Sequence, residues 1–366
     1  MNIRRKTRNG IYSPFSVPKA EFGTETLRLG LLLLALSLVC VPAARAGSLL
    51  VGYLDDSSIK KFDGTTGAYL GNFVAPGAGG LSQESFFIFG PDGNLYVSSI
   101  NTGSVKRYAG TTGAYLGDFV LPGSGLTVPY ALAFGPNQNL YVANGAATPG
   151  VAGIFEFNGT TGALIDQLSP VTGAANYIQG LTFGADGNVY ATNIQGPDQG
   201  IVRFNGATGA FMDVFAPIST GDPTSIAFGP DGNLYVTLLY GHKIERYNGI
   251  TGADMGTFVP TGSGGLFWDG ALSFGPDGNL YVTEWYSGSV GKYDGSTGAF
   301  LGDLVSPGSG GSGAVFGLQF DTSAPEPSGA ALLLGGLSLL AYRLKFGKRR
   351  MSRKRAIQAC AALSAP

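Results

Sequence analysis

The segment FGPDGNLYV, at residues 89–97, returns four more times along the chain with small changes. The copies begin at Phe89, Phe134, Phe183, Phe228 and Phe274, at intervals of 45, 49, 45 and 46 residues. Self-similarity at a period of this length is the sequence signature of a repeat protein. The nonapeptide therefore indicates the class of fold before any single residue is considered.

A second motif, DGTTG with variants, runs in step with the first but occurs six times. Each repeat unit contains four short stretches rich in Val, Tyr, Phe, Leu and Ile, separated by Gly, Asn, Asp and Pro. The first group of residues favours strands and the second favours turns. Four strands in a unit of about 45 residues are typical of one blade of a β-propeller.

The unequal counts of the two motifs predict how the ring closes. The stretch SLLVGY at 48–53 aligns with the second strand of a blade, and FGLQF at 316–320 aligns with the first strand. Three N-terminal strands and one C-terminal strand would then form a sixth blade. The sequence thus predicts an all-β, six-bladed propeller of four-stranded blades over residues 47–321, closed so that no long sheet edge stays unpaired.

The repeated turns have the residues that tight turns need. In GPDGN, Pro fixes the first turn angle, Asp bonds a backbone amide two residues on, and Gly adopts positive φ. In the DGTTG turns we expect Asp, Asn and Thr side chains to bond turn amides and the last Gly to be left-handed. These last glycines are Gly67, Gly113, Gly162, Gly209, Gly252 and Gly298.

The formal net charge of −1 hides a strong segregation of charge. Residues 1–46 contain seven Lys or Arg and two acidic residues, and residues 325–366 contain eight and one. Residues 47–324 contain eight basic and 21 acidic residues, a formal charge of −13. An acidic propeller between two basic ends argues against nucleic acid as its partner.

The first 46 residues have the organisation of a secretory signal peptide. Basic residues precede an apolar run over residues 29–41, and the small residues Ala44 and Ala46 mark a predicted cleavage site before Gly47. We therefore expect the chain to be exported by the secretion machinery.

The C-terminal segment divides into a linker at 322–328, an apolar run at 329–342 and a basic tail at 343–366. As a helix, the apolar run would measure about 21 Å, against a hydrocarbon core about 30 Å thick. We predict a short transmembrane helix here. The basic tail would remain in the cytoplasm, which places the propeller outside.

The linker contains Pro325, Glu326 and Pro327. This motif, followed by a short apolar helix and an Arg-rich end, is similar to a PEP-CTERM sorting signal. The resemblance implies that an exosortase-type membrane enzyme cleaves near the motif and that the protein is then released or transferred to the cell surface. The stretch after Arg355 is longer than in most such tails. A simple C-terminal membrane anchor is the alternative.

Variation along the repeats concentrates at the propeller face opposite the repeated turns, where functional loops are expected. Polar residues at strand ends could converge there on the mouth of the central channel. These candidates are Glu84, Asn144, Asn193, Asp222, Asp269 and Glu284. Their oxygen atoms suit a single hard divalent cation such as Ca²⁺. The alternative is that they cap strand ends and face solvent.

The repeats, such as DGTTGAYLGNFV at 63–74, are similar to NHL-type and gluconolactonase-type blades. This resemblance covers residues 48–321. The gluconolactonase resemblance implies one metal held by Glu, Asn and Asp side chains and the hydrolysis of a lactone. No repeat unit supplies an evident catalytic base, and the sequence does not complete a metal-ligand set residue by residue.

Four aromatic residues also belong to the variable face: Tyr240, Trp268, Trp285 and Tyr286. They could form a patch that stacks against sugars on neighbouring blades, or they could be ordinary packing at the rim. The single histidine, His242, lies in the loop YGHKIERY and is expected to face solvent.

Together these features favour a non-enzymatic surface protein, a monomeric propeller whose variable face binds a glycan, a matrix component or a protein. The alternative is a metal-dependent hydrolase or lyase of the gluconolactonase type, with its site at the mouth of the central channel.

Overall fold

The computed structural model describes residues 47–145, 151–168, 177–311 and 313–321. Within these ranges the chain forms six four-stranded antiparallel sheets. The helices found there are three 3-10 turns, and none is long and apolar enough to cross a membrane. The predicted signal peptide, sorting motif, transmembrane helix and basic tail lie outside the described residues.

The strands follow one another as blades from the axis outward. The chain starts with β1 (Ser48–Tyr53), β2 (Ser58–Asp63) and β3 (Tyr69–Val74). The next blades are β4 (Glu84–Phe89), β5 (Leu95–Ser99), β6 (Ser104–Tyr108), β7 (Tyr115–Val120); β8 (Pro129–Phe134), β9 (Leu140–Asn144), β10 (Gly153–Phe157), β11 (Leu164–Leu168); and β12 (Ile178–Phe183), β13 (Val189–Asn193), β14 (Gly200–Phe204), β15 (Phe211–Pro217). The last strands are β16 (Pro223–Phe228), β17 (Leu234–Leu238), β18 (Lys243–Tyr247), β19 (Asp254–Val259); β20 (Asp269–Phe274), β21 (Leu280–Glu284), β22 (Ser289–Tyr293), β23 (Phe300–Val305); and β24 (Val315–Asp321).

The ring closes as the sequence predicts. The sixth sheet has the order β24-β1-β2-β3, so three N-terminal strands and one C-terminal strand share a blade. Strand β24 pairs antiparallel with β1, with Val51 opposite Leu318. The six innermost strands contact one another around the axis in the order β24, β4, β8, β12, β16 and β20, and β20 returns to β24. Closure leaves every inner strand with a neighbour on both sides.

The nonapeptide explains how neighbouring blades pack. Tyr96 is buried and makes edge-to-face contacts with Phe119 of its own blade and with Phe134 of the next, at 4.9 and 5.0 Å between ring centroids. Its hydroxyl donates a hydrogen bond to Asp92, in the turn of the same nonapeptide. The Tyr and Phe of successive copies therefore bury each other, and such pairs are favourable beyond the area that they bury.

The turns have the geometry that the sequence predicts. In the first DGTTG turn, Asp63 accepts hydrogen bonds from the amides of Thr65 and Thr66. The last glycines of the six turns all have positive φ, between 69° and 73°. The second copy of the nonapeptide carries Gln138 where the other four have Gly, and Gln138 takes the same left-handed backbone at φ 63°.

Candidate ligand-binding site

The two faces of the propeller differ in the way that the sequence indicates. We call the face that carries the FGPDGN and DGTTG turns the turn face, and the opposite one the loop face. The inner strands begin at the loop face, and the second strands end there, because Glu84 at the start of β4 pairs with Ser99 at the end of β5. The loops between the second and third strands and the connections between blades therefore meet at the loop face.

A cavity of about 320 Å³ occupies the mouth of the central channel on the loop face. The second residue of five inner strands lines it, and tryptophans from the loops of the fifth blade complete one side. These lining residues are Ser85, Tyr130, Gln179, Thr224, Phe316, Trp268 and Trp285. All six blades contribute to the lining, so the cavity forms only when the ring is closed.

Buried polar atoms without a partner are concentrated at the loop-face ends of the strands. Of the seven such side-chain atoms in the described part of the chain, five belong to residues at the loop-face ends of inner or second strands: both oxygens of Glu84, Oγ of Ser85, Oε1 of Gln179 and Oε1 of Glu284. Folded proteins leave few buried polar groups unpaired, and a ligand or water can satisfy them. Ser85 is only 1% exposed and lines the cavity, as does Gln179.

Glu84 is fully buried between its own blade and the blade that contains β1. Its Cγ lies where a side chain on Gly52 of β1 would point, 3.2 Å from the position of a Cβ there. Burial raises the pKa of Glu84 to about 9. In the absence of a cation, this burial favours the protonated carboxyl group at neutral pH.

Glu284 belongs to a position that has one structural role in four blades. Its Oε2 accepts a hydrogen bond from the amide of Phe267, in the connection that leads into its blade. Ser99 accepts the corresponding bond from the amide of Ser82, and Asn144 accepts it from that of Thr127. Asn193 accepts a similar bond from the amide of Tyr177. These side chains anchor the inter-blade connections. Burial raises the pKa of Glu284 to about 7, and its bond with Phe267 opposes that shift.

The other two residues predicted to hold a cation are Asp222 and Asp269. Within the described ranges, no group of three or more His, Cys, Asp or Glu side chains is placed to hold a metal ion. Asp222 has φ 28°, and its carbonyl accepts a hydrogen bond from the amide of Leu239. Asp269 pairs with Glu284 in the register of β20 and β21. A metal held by these residues remains a prediction.

The structure brings three of the four predicted aromatic residues together. Trp268 lies 5.9 Å from Tyr240 and 5.9 Å from Tyr286, measured between ring centroids. Trp285 turns toward the channel, where it meets Phe316 edge to face at 5.5 Å. Tyr240 and Tyr286 are 61% and 65% exposed, so these two rings contribute little to the core.

Two members of this group were not expected from the sequence. Phe267 is 50% exposed and contacts Tyr286 at 5.8 Å. His242 stacks on Phe267 at 4.3 Å, and its Nδ1 accepts a hydrogen bond from the amide of Trp268. The expectation that His242 simply faces solvent is therefore incomplete, because the ring is part of the aromatic group. The adjacent aromatic pair Phe267 and Trp268 was the signal available in the sequence.

The clefts on the turn face are lined by polar side chains that already have partners. A cleft of about 870 Å³ lies between the repeated turns of the third and fourth blades and is lined by Asp186, Tyr190 and Arg203. A cleft of about 310 Å³ with Asp92, Tyr96 and Arg107 recurs between the first two blades. Tyr190 donates to Asp186, and Arg203 pairs with Asp213. Because these polar groups already satisfy one another, the loop-face mouth is the better candidate for a site.

Comparison with known proteins identifies the fold. No family model matches the chain, and no curated protein is significantly similar to it. Solved structures that resemble it include a chain of a nidogen/laminin complex (16% identity, TM-score 0.57, covering 74% of this chain and 97% of that chain). A Bacteroides caccae protein of unknown function is 16% identical with a TM-score of 0.58, and the match covers 75% of this chain and 98% of that chain. Virginiamycin B lyase from Staphylococcus aureus is 18% identical with a TM-score of 0.53, and the match covers 76% of this chain and 90% of that chain. At these identities the likeness establishes the six-bladed propeller fold alone.

Proposed function

We propose that the protein is an exported binding propeller that holds its ligand at the loop-face mouth of the central channel. The observation that carries this proposal is the cavity of about 320 Å³, which is lined by aromatic residues and by Ser85 and Gln179, two polar residues that each have a buried oxygen without a partner. Ligand sites combine apolar and aromatic walls with a few placed polar groups. The ligand class is a glycan, a matrix component or a protein.

The side chains at the mouth suit recognition. Trp285 and Phe316 supply ring faces and edges, and Ser85 and Gln179 supply neutral hydrogen-bonding atoms. One of the structural neighbours comes from a complex of nidogen with laminin, which supports a binding role.

The chain contains a built-in reporter for this proposal. Its two tryptophans, Trp268 and Trp285, both line the cavity. Tryptophan emission of the full chain, titrated with soluble glycans and with fragments of matrix proteins, therefore follows events at the mouth. We expect a bound partner to shift the emission and Trp285→Ile to weaken binding. Binding that leaves the emission unchanged and survives this substitution would place the functional surface elsewhere.

A metal-dependent hydrolase or lyase is the second candidate, favoured by Glu284. A carboxyl group with a pKa of about 7 is suited to proton transfer at neutral pH. Another structural neighbour is a lyase. Elemental analysis of the purified protein separates the two candidates. One tightly bound divalent ion per chain, lost on Glu84→Ala or Asn193→Ala, would favour the enzyme. A metal-free protein that binds its ligand would favour the first proposal.

Export and sorting form a separate part of the proposal, supported by the signal-peptide pattern and by Pro325, Glu326 and Pro327 ahead of an apolar run. In a host with an active exosortase, an epitope placed at the C-terminus should be removed and the propeller should reach the cell surface or the medium. A full-length chain that keeps the epitope in the inner membrane would favour the simple membrane anchor.

A further inference from the structure

Two connections between blades have the same backbone. The connection before β4 contains Gly-Ala-Gly-Gly-Leu at 77–81, and the one before β20 contains Gly-Ser-Gly-Gly-Leu at 262–266. Each forms a 3-10 turn whose central glycine is left-handed, Gly79 at φ 64° and Gly264 at φ 67°. Each ends with a left-handed residue directly before the inner strand, Gln83 at φ 50° and Trp268 at φ 59°.

The same hydrogen bonds anchor both connections to the rest of the propeller. The amides of Gln83 and Trp268 donate to Oγ of Ser57 and Nδ1 of His242, at 3.0 and 3.3 Å. The amides one residue earlier donate to Oγ of Ser99 and Oε2 of Glu284. Three further bonds of the first site have a counterpart in the second. Gly77 N donates to Ser57 O as Gly262 N does to His242 O, and Ile100 N donates to Gln83 O as Trp285 N does to Trp268 O. Tyr108 Oη donates to Ala78 O as Tyr293 Oη does to Ser263 O.

The two sites differ in the side chains of their loops. At six matched positions the first site has a small, polar or aliphatic residue and the second has a ring. The pairs are Asp55 and Tyr240, Ser57 and His242, Ser82 and Phe267, Gln83 and Trp268, Ile100 and Trp285, and Asn101 and Tyr286. Where Asn101 donates a hydrogen bond to Ser82, Tyr286 instead contacts Phe267 ring to ring.

The first site is an internal control for the second. It shows that this backbone and its anchoring bonds form with Ser, Gln and Asn in place of Phe, Trp and Tyr. The rings are therefore not needed to build the connection, and three of them are largely exposed: Phe267 at 50%, Tyr240 at 61% and Tyr286 at 65%. Exposed, clustered aromatic residues beyond the needs of folding indicate a binding surface.

We propose that the five rings of Tyr240, His242, Phe267, Trp268 and Tyr286, which we call the aromatic platform, bind a neutral oligosaccharide chain whose end enters the channel mouth. This inference rests on the proposed function and specifies its ligand. A pyranose ring has an apolar face of C–H groups that stacks on aromatic rings, and its hydroxyl groups pair with neutral donors and acceptors. Trp268 of the platform also lines the cavity, together with Trp285, Ser85 and Gln179. Ser85 and Gln179 each have a buried side-chain oxygen without a partner.

The charge of the propeller argues for a neutral ligand. Residues 47–324 carry a formal charge of −13, which repels an acidic polymer. Lys243, the basic residue that follows His242, is already paired with Glu245. The platform therefore offers ring faces, and the lysine beside it is not free to bind a carboxylate or sulfate group.

The test uses the full chain and two neutral probes, cellohexaose and chitohexaose, with an acidic oligogalacturonate for comparison. Binding is measured by calorimetry and by tryptophan emission. The main variant, Phe267→Ser with Tyr286→Asn, places the residues of the first site on the same backbone and keeps both tryptophans. Because the variant lacks two of the five rings, it should bind a neutral probe ten- to a hundredfold more weakly. The control, Ser82→Ala with Asn101→Ala at the first site, should leave Kd unchanged.

The outcomes separate this inference from the proposed function. Equal binding by the wild type and the platform variant would overturn the inference, as would a preference for the acidic probe. If protein fragments shift the tryptophan emission and neither neutral sugar does, the binding site at the mouth stands and the oligosaccharide is the wrong ligand. Circular dichroism and thermal melting of the variant should match the wild type, since the first site carries these residues naturally.

Discussion

The backbone amide of Trp268 donates a hydrogen bond to Nδ1 of His242 over 3.3 Å, and both residues have a left-handed backbone. Such conformations cost non-glycine residues about 1 to 2 kcal/mol each, so surrounding contacts must hold them. Here the hydrogen bond joins two residues of strained backbone that lie 26 positions apart in the sequence. The bond fixes the loop that carries Tyr240 against the connection that carries Phe267.

This relationship predicts a difference between two substitutions of His242. His242→Ala removes the acceptor, whereas His242→Ser supplies a hydroxyl like that of Ser57, which makes the equivalent bond to Gln83. Both variants lose the stacking on Phe267. We expect His242→Ala to unfold about 1 kcal/mol more easily than His242→Ser, the net value of one hydrogen bond. Urea titration followed by tryptophan emission measures this difference, and equal midpoints would show that the bond contributes nothing.

The last glycine of the DGTTG turns predicts a steric effect on stability. A Cβ on Gly113 would lie 1.7 Å from the carbonyl oxygen of Phe73, in the outer strand of the neighbouring blade. We expect Gly113→Ala to destabilise the fold by about 3 kcal/mol or more, because the turn must leave its neighbour.

Gly93 is the matched control, since it has φ 74° and a Cβ added there would meet nothing within 4 Å. Gly93→Ala should cost only the backbone strain, about 1 to 2 kcal/mol. Chemical denaturation of both variants provides the comparison. A similar loss for the two would mean that the contact with Phe73 is not what requires glycine at position 113.

Gln138 predicts a stabilising change. It is left-handed at φ 63° in a turn where the other four copies have Gly. Gln138→Gly should raise the free energy of unfolding by about 0.5 to 1 kcal/mol, because relief of strain exceeds the added freedom of the unfolded chain. Gln138→Ala keeps the Cβ and should bring no gain. Thermal melting of the two variants tests this, and a Gly variant that melts below the wild type would contradict it.

Glu84 predicts a dependence of stability on alkaline pH. Burial raises its pKa to about 9, above that of an exposed Glu near 4.5. Between these values the folded state holds a proton that the unfolded state releases, so stability falls by up to about 1.4 kcal/mol per pH unit. The stability that the proton on Glu84 contributes is fully present below about pH 4.5 and is lost as the pH rises through 9.

Glu84→Gln keeps the shape of the side chain and cannot ionise. We expect this variant to be more stable than the wild type at pH 8 and to lack the alkaline slope between pH 6 and 9. Glu156→Gln, at a partly exposed position of the second blade, serves as the control. Parallel slopes for the wild type and Glu84→Gln would show that Glu84 is already ionised in the folded protein.

The repeats carried most of the information about the fold. Asp92, Tyr96 and Phe134 illustrate why, because one nonapeptide specifies a turn, the hydrogen bond that fixes its tyrosine and the ring contact with the next blade. All of these are local or act between adjacent copies. The closing blade also followed from counting motifs, since SLLVGY and FGLQF each matched a strand of the repeat.

The candidate site was less predictable, because it lies where the repeats differ. Tyr240, Trp268 and Tyr286 were expected on one face, but their distances depend on the packing of two blades. Asn144 and Asn193, proposed as ligands, turned out to bond the amides of inter-blade connections. A side chain at a strand end looks the same in a sequence whether it faces a channel or anchors a loop.

The sequence by itself determined a closed ring of six four-stranded blades with repeated turns on one face, because period-two strand patterns and left-handed glycines act locally. The tertiary structure decided which side chains meet at the axis. It placed Ser85, Gln179 and Trp285 around one cavity and buried Glu84 between two blades. It also gave two distant connections the same set of hydrogen bonds. Those relationships join residues from different blades, and only the curvature of the whole ring sets the distances between them.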